Sequence, residues 1–465
     1  MMIRSREFRD TLKNLAGDIA ARTPYGSALA MSKKSLTISI DSKNRSIEEK
    51  TFGSGVVFRA FDGSLCEEYS TNDISINSLK ESVRSFLSTL SISRSCGDMP
   101  TFGRDLPSLG TADFETPVML DPRDIPLDQK VDTFEELKEV LLSLDDAVKD
   151  VRVSYSESRE TSTFVDGKSD LSQEIIRTEI ALVAYANARG KTVYDYLIHG
   201  GTAGYEIISF SAEDLERLKV NLKSLLSARF IEPGTYPIIT SPSTTGIIAH
   251  ESFGHGVETD LFLKRNAKAK FYMDKEIASP LVVMKDDPSL PGGYGTYFFD
   301  DEGIISRPTK IIDDGILRCG LSDLYSARAL GVPATGNGRR ESYARKTYAR
   351  MSNTFIEPQK ATLEELMSSA GSGIYLESPS GGIEDPQGWG IQITVKLGRE
   401  FKKGKFTGKA FSPVAITGYV PDLLKSISGI GNDFSMSSGH CGKGYKEMIK
   451  VGIGGPHILA RCRLG

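Results

Sequence analysis

The chain has 465 residues, room for two or three domains at roughly 100–200 residues each. Apolar residues make up 39% and charged residues 25%, as in ordinary globular proteins, and 57 Lys plus Arg against 61 Asp plus Glu leave a net charge of −4. That balance argues against a dedicated nucleic-acid binder, and no apolar run approaches the ~20 residues of a membrane-spanning helix.

Phe8, Leu12, Leu15 and Ile19 share one face of a first helix, Phe8 to Ile19, which carries no signal-peptide core. Ser35 to Ile40 alternates as a half-buried strand, and Ile47 to Ala60 supplies two more strand-like pieces around Gly53 and Gly55. Ser78 followed by Glu81 reads as a capping box, opening a second helix with Leu79, Val83, Phe86, Leu87 and Leu90 on its face. Residues 97–127 hold Pro100, Pro107, Pro117, Pro122 and Pro126 and read as an extended crossing segment. A helix follows over Asp132 to Lys149. Strands come next at Val151 to Tyr155 and Gln173 to Tyr185, on either side of an Asp166-Gly167 turn. This order hints at a duplicated α+β unit, without a residue-level repeat.

Ser211 caps a helix over 211–229 whose stripe is Leu215, Leu218, Leu222, Leu225 and Leu226. A boundary falls after it, near 230–234, because the chain beyond 231 is Gly-rich with many short strands. The expected fold is α+β in two domains: an α+β domain over 1–230 and a β-rich domain with a few helices over 231–465.

Five cysteines, Cys66, Cys96, Cys319, Cys441 and Cys462, are odd in number and scattered, which fits a reducing cytosol better than a disulfide framework. Histidines also number only five, and two share the motif His250-Glu251-Ser252-Phe253-Gly254-His255. A His-Glu followed by a second His is the logic of a zinc hydrolase, in which imidazoles bind metal and the carboxylate activates water. The usual spacing is i, i+4; here it is i, i+5, which a regular α-helix would splay by roughly 140°. A π-bulge at the motif would realign the rings, or the helix could end at Gly254 and leave His255 on a loop.

A third ligand is needed, and Cys441, in Ser438-Gly439-His440-Cys441-Gly442-Lys443, is the best candidate, with His440 as the alternative. Glu258 and Asp260 fit either a role orienting a metal-bound His or a solvated helix end, and the second reading is preferred. Arg339, Arg340 and Tyr343 are candidate substrate or oxyanion helpers, with a structural role preferred for the arginines, and Asn337-Gly338 reads as a turn. Gly292-Gly293-Tyr294-Gly295 and Gly381-Gly382 lack the Gly-Lys-Ser/Thr of a phosphate loop, and Trp389 sits in a turn-like Gln387-Gly388-Trp389-Gly390.

With these residues the chain resembles the TldD/PmbA family, specifically its TldD branch. The blocks that carry the resemblance span the chain's second half: His250 to Glu258, Asp301-Glu302-Gly303, Ala334 to Tyr343, Arg350 to Thr354, Cys441-Gly442-Lys443 and Val451 to Gly454. The resemblance implies a zinc peptidase with an α+β N-terminal domain and a β-rich C-terminal one. It implies His250, His255 and Cys441 as zinc ligands and Glu251 as catalytic base. It further implies unstructured peptides as substrates, and a homodimer or a heterodimer with a TldE/PmbA-like subunit in the cytoplasm. The sequence departs from the family after Lys443, where Gly444-Tyr445-Lys446 stands in place of a Gly-Gln segment, and at His440, where a small polar residue is usual. The competing reading is a non-catalytic scaffold or partner subunit, against which the intact motif speaks. The family's older name, modulator of DNA gyrase, would ask for DNA binding, which a net charge of −4 opposes.

Overall fold

Ser5 accepts a hydrogen bond from the Phe8 N–H and starts α1 (Arg6–Ala20), whose face of Phe8, Leu12, Leu15 and Ile19 is buried as its spacing predicts. The structure is a computed structural model that describes residues 2–61, 65–90, 109–444 and 447–465. After α1 come two long strands, β1 (Tyr25–Asp41) and β2 (Arg45–Phe61), a short β3 (Cys66–Thr71) and α2 (Ile76–Thr89). β2 is one strand and not two pieces, because its pairing with β1 absorbs an irregularity between Ser32 and Lys34 and runs on. α2 starts at Ser75, not Ser78: Asp73 accepts from the Ser75 N–H and turns the chain in earlier.

Of the expected crossing segment, residues 97–108 lie outside the described residues. The remainder forms β4 (Gly110–Glu115) and a short turn of helix at Pro122–Asp124. α3 (Leu127–Leu142) begins straight after Pro126 and stops seven residues short of Lys149, where β5 (Val148–Asp166) has already taken over. β6 (Ser169–Ala188) follows across the Asp166-Gly167 turn, then β7 (Lys191–Gly201) and α4 (Ala212–Ser227). Ser211 and Asp214 form a reciprocal capping box at the start of α4.

These strands make one sheet in the order β3-β2-β1-β5-β6, with β4 and β7 sharing the far edge of β6. About the central β1–β5 pair the order is mirrored: helix, two long strands, a short strand, helix, twice over. The duplication hinted at by element order is therefore present as topology.

The second half begins with β8 (Gly234–Thr240), α5 (Pro242–Ala249) and α6 (Thr259–Leu263). β9 (Met284–Asp286), β10 (Thr309–Asp313) and β11 (Ile316–Leu317) follow. Next come α7 (Leu324–Leu330), β12 (Gly338–Arg339), β13 (Tyr348–Ala349), β14 (Asn353–Ile356) and α8 (Leu363–Ala370). The chain ends with β15 (Ser372–Glu384), β16 (Gly390–Lys402), β17 (Lys405–Phe411), β18 (Val414–Tyr419), α9 (Val420–Lys425), β19 (Gly429–Ile430), β20 (Ser435–Lys443), β21 (Glu447–Gly455) and β22 (Ile458–Leu464). One sheet runs β11-β10-β9-β14-β21-β20. A second runs β15-β8-β22-β18-β16-β17, and β15 also pairs with β16, so the sheet closes on itself, while β12 and β13 pair separately. The fold is α+β in two domains. A large apolar core fills the second, from Ile238 and Phe253 to Leu464, with Trp389 inside it. Trp389 takes a left-handed turn conformation as the Gly-flanked sequence suggests, yet it is fully buried against Phe253.

Ionic and polar contacts join the halves. Arg59 of β2 pairs with Glu302 and Glu68, Glu68 pairs with Arg340, and Lys450 of β21 pairs with Glu160 of β5.

Candidate metal centre

Ser241 caps α5 and Pro242 occupies its first turn. A Cβ on Gly246 would meet Gly454 N at 2.6 Å and Ile453 C at 2.8 Å, so the helix seats directly on β21. β21 pairs in turn with β20, which carries Cys441 opposite Ile449. The two glycines thus bring His250 and Cys441 within reach of each other.

Past Ala249 the helix widens. The His255 N–H bonds to the His250 carbonyl, an i→i+5 turn, with Phe253 at φ −120° and ψ 21°. This is the first of the two repairs that the i, i+5 spacing asks for. A Cβ on Gly254 would fall 2.1 Å from Met351 Sδ, so its glycine answers to a close contact as well as to the helix. The rings of His250 and His255 lie 5.1 Å apart, nearly perpendicular at 84°. Cys441 Sγ is 3.3 Å from His255 Nε2, and the donor atoms of His250, His255 and Cys441 all lie within 4.8 Å of one another. Strand alternation turns His440 to the opposite face of β20, where its ring meets Tyr294 at 5.8 Å.

The charges are arranged for a thiolate. Burial raises the Cys441 thiol, but hydrogen bonds and charge from His250 and His255 outweigh it and hold it well below the thiol range. Burial opposes a charged His255, yet Glu258 and Cys441 outweigh that and raise its imidazole well above the usual value. Glu258 Oε2 lies 3.3 Å from His255 Nδ1, and Glu258 is completely buried. Lys443 Nζ donates to Glu258 Oε2 at 2.9 Å, to Asp260 Oδ1 at 2.6 Å and to the Ala349 carbonyl at 2.9 Å. Burial pushes the Glu258 carboxyl up, but Lys443 and His255 bring it down to about 2. Glu258 and Asp260 are therefore not a solvated helix end: both are buried and tied to the strand that holds Cys441.

Glu251 is half-buried beside β15. A Cβ on Gly382 would lie 2.6 Å from Glu251 Cγ, so the glycine pair Gly381-Gly382 makes the space this side chain fills. Two residues on, Glu384 has both carboxylate oxygens buried without a hydrogen-bond partner among the described residues. Burial pushes its carboxyl up to about 9, with His255 opposing and Asp385 and Glu251 adding to the rise. Sequence reading passed over Glu384, which lies more than a hundred residues from the motif with no pattern around it. It also missed a role for Arg350, a fully buried residue that donates to the Cys441 carbonyl at 2.6 Å.

Arg339, Arg340 and Tyr343 lie elsewhere. They line a cavity of about 480 Å³ with His440, Lys450 and Glu160, and none of the three donors or Glu251 lines it. Arg339 donates to the Met351 and Lys450 carbonyls, Arg340 to Glu68, and the Tyr343 ring packs where a side chain on Gly55 would stand. Asn337 is not in an open turn: it is buried, its amide donating to Asp286 Oδ2 at 2.8 Å, while Gly338 pairs with Ala349.

Two imidazoles and one thiolate are a zinc donor set, and donor atoms this close together would suit ligand bonds of about 2.0–2.3 Å. His250 Nδ1 is buried without a hydrogen-bond partner among the described residues, as a donor atom kept for a metal would be. The residues fit the metal.

An α+β chain whose β-rich half gathers such donors beside a glutamate has the architecture of a metallopeptidase. Residues 233–462 match the PmbA/TldA metallopeptidase C-terminal domain. A metalloprotease of Methanothermobacter thermautotrophicus is 31% identical over 68% of this chain and 69% of its own length. One from Methanocaldococcus jannaschii is 28% identical over 89% of this chain and 91% of its own. A zinc metalloprotease TldD homolog of Saccharolobus solfataricus is 30% identical over 66% and 67%. Among solved structures, TldE of Thermococcus kodakarensis superposes with a TM-score of 0.77 at 15% identity, covering 98% of this chain and all of that one. A Thermotoga maritima protein described as a modulator of a DNA gyrase gives 0.77 at 18%, covering 99% of both. At these identities the structures speak for the fold. The chain belongs to the PmbA/TldD metallopeptidase family.

Proposed function

We propose that the chain is a catalytic, zinc-dependent member of this family that hydrolyses unstructured peptides. The observation that carries the reading is the gathering of His250, His255 and Cys441 around one point, with Glu251 adjoining. In this reading the β-rich domain over 231–465 is the peptidase and residues 1–230 are its α+β companion. His250, His255 and Cys441 would hold the metal. Bound there, zinc supplies Lewis acidity to water and to the scissile carbonyl. A thiolate donor gives the metal more charge than a third imidazole would, which puts more of the work on the base.

Glu251 is that base. It stands next to His250, with its stem against the bare backbone of Gly382. It takes the proton of the attacking water and returns it to the leaving amine. Glu258 accepts from His255 Nδ1 and so keeps Nε2 directed at the centre. An extended peptide is recognised through its backbone when it adds to a strand edge, which suits unfolded substrates. Action in the cytoplasm, as a homodimer or with a TldE/PmbA-like subunit, belongs to the same reading.

The test is metal content and hydrolysis of an unstructured peptide in wild type, Cys441→Ala and Glu251→Ala. The reading expects about one zinc per chain in wild type, loss of it in Cys441→Ala, and retained zinc without activity in Glu251→Ala. A wild type that takes up no zinc when offered it ends the metallopeptidase reading and leaves a scaffold. Zinc without cleavage directs the search to a partner subunit.

A further inference from the structure

Lys443 closes β20, two residues beyond Cys441. Its side chain is only 10% exposed, and its ammonium makes three bonds, two to the stretch that opens α6 and one to β13. Glu258 lies just past the widened turn, Asp260 in the first turn of α6, and Ala349 in β13. Three N–H donors meet three acceptors, so the position of the ammonium is fully determined. Glu258 Oε2, the atom that receives Lys443, is also the atom facing His255 Nδ1 at 3.3 Å. A carboxylate this deeply buried is costly without a cation beside it. An imidazole that donates from Nδ1 keeps its lone pair on Nε2, and Nε2 is the nitrogen 3.3 Å from Cys441 Sγ.

We propose that Lys443 is a positioning residue for the metal centre. It holds Glu258 against His255 Nδ1, and because it shares a strand with Cys441 it sets thiolate and imidazole at one spacing. Asp260 and the Ala349 carbonyl fix the ammonium, Glu258 relays its position, and Lys443 touches neither metal nor substrate. The inference rests on the reading of His255 and Cys441 as metal donors.

The experiment uses the full chain in four forms: wild type, Lys443→Met, Glu258→Gln and the double variant. Zinc affinity is read by competition with a chromophoric chelator. The cobalt-loaded proteins are compared by their thiolate charge-transfer and ligand-field bands, and the metal-free proteins by thermal unfolding. Each single variant should lose about 10- to 100-fold in zinc affinity, the range for groups that orient metal ligands. The double variant should lose no more than the worse single, because the two residues act in series. The cobalt ligand-field bands should shift in Lys443→Met while the thiolate band persists. Zinc affinity of Lys443→Met within twofold of wild type overturns the inference, as do losses that multiply in the double variant. A lowered unfolding temperature with unchanged affinity also overturns it and leaves Lys443 a merely structural tie. If Lys443→Met does not fold, Lys443→Gln, one bond shorter and uncharged but with a polar tip, is read in its place. A wild type that binds no zinc instead marks failure of the metal-centre reading itself.

Discussion

In the N-terminal sheet, β1 and β5 pair without a break from Ser27–Asp166 to Asp41–Arg152. Around the metal centre nothing is so regular: α5 lasts eight residues before the helix widens over five more and tightens again at His255. The sheet is held by a repeated pattern in which each pair supports the next, so one altered residue costs little. The centre is held by single contacts, Gly246 on Gly454, Gly254 on Met351 and Gly382 on Glu251, each of which exists once. Regularity carries stability in this molecule, and irregularity carries position.

The sharpest test of that contrast is chemical. Glu251→Gln should lower turnover by about 100- to 10,000-fold while zinc content and far-ultraviolet circular dichroism stay at wild-type values. His440→Ala, one residue from Cys441 but on the other face of β20, should keep its zinc. Loss of metal there would erase the distinction between the two faces.

The seam between the regions should respond to acid. Burial raises the Glu68 carboxyl, but Arg59 and Arg340 bring it down to about 2 from an ordinary 4.5. A depressed carboxylate contributes stability that is complete above its unfolded value and is lost as pH falls through the folded one. Urea unfolding of wild type and Glu68→Gln should therefore differ most near neutrality, by up to about 3 kcal/mol, and converge between pH 4.5 and about 2. A gap that does not vary with pH would remove the charge from the explanation.

Glycine substitutions should then change sign between the regions. Gly254→Ala drives a methyl group into Met351 Sδ and should cost about 1–3 kcal/mol in thermal or urea unfolding, with part recovered on adding Met351→Ala. Gly17→Ala, on α1 with nothing within 4 Å of the added carbon, should stabilise by about 0.5–1 kcal/mol. An effect of similar size and opposite sign is expected at the cap of α4, where Ser211→Ala should cost about 1 kcal/mol and leave metal binding untouched.

The same contrast explains what could be read from the amino acids. The faces of α1 and α4, the Asp166-Gly167 hairpin and the β-rich second half follow from periodicity and capping. So does the conflict at i, i+5, which demanded a local distortion before any was seen. The starts of α2 and α3 differ from the sequence pattern because a Ser-x-x-Glu inside a helix looks like one at its end, and because Pro126, within a Pro-rich stretch that reads as extended, opens a helix. Glu258, Lys443 and Arg350 were visible as letters, yet their burial depends on strands almost two hundred residues apart meeting at one point. Glu384 left no trace at all, since a carboxylate two residues beyond a glycine pair is an ordinary surface string until the fold covers it.

The hairpin of β20 and β21 fixes Cys441 opposite Ile449 and His440 opposite Lys450. Inserting one residue between Ser435 and Gly439, with the pairing beyond it slipping by one, would rotate every following side chain to the other face. An imidazole would then stand where the Cys441 sulfur stands, giving a set of three imidazole donors in place of two imidazoles and a thiol. On the proposed reading of the site, a single codon separates this protein from a different donor set. What separates the two is the row of backbone hydrogen bonds that forbids the slip.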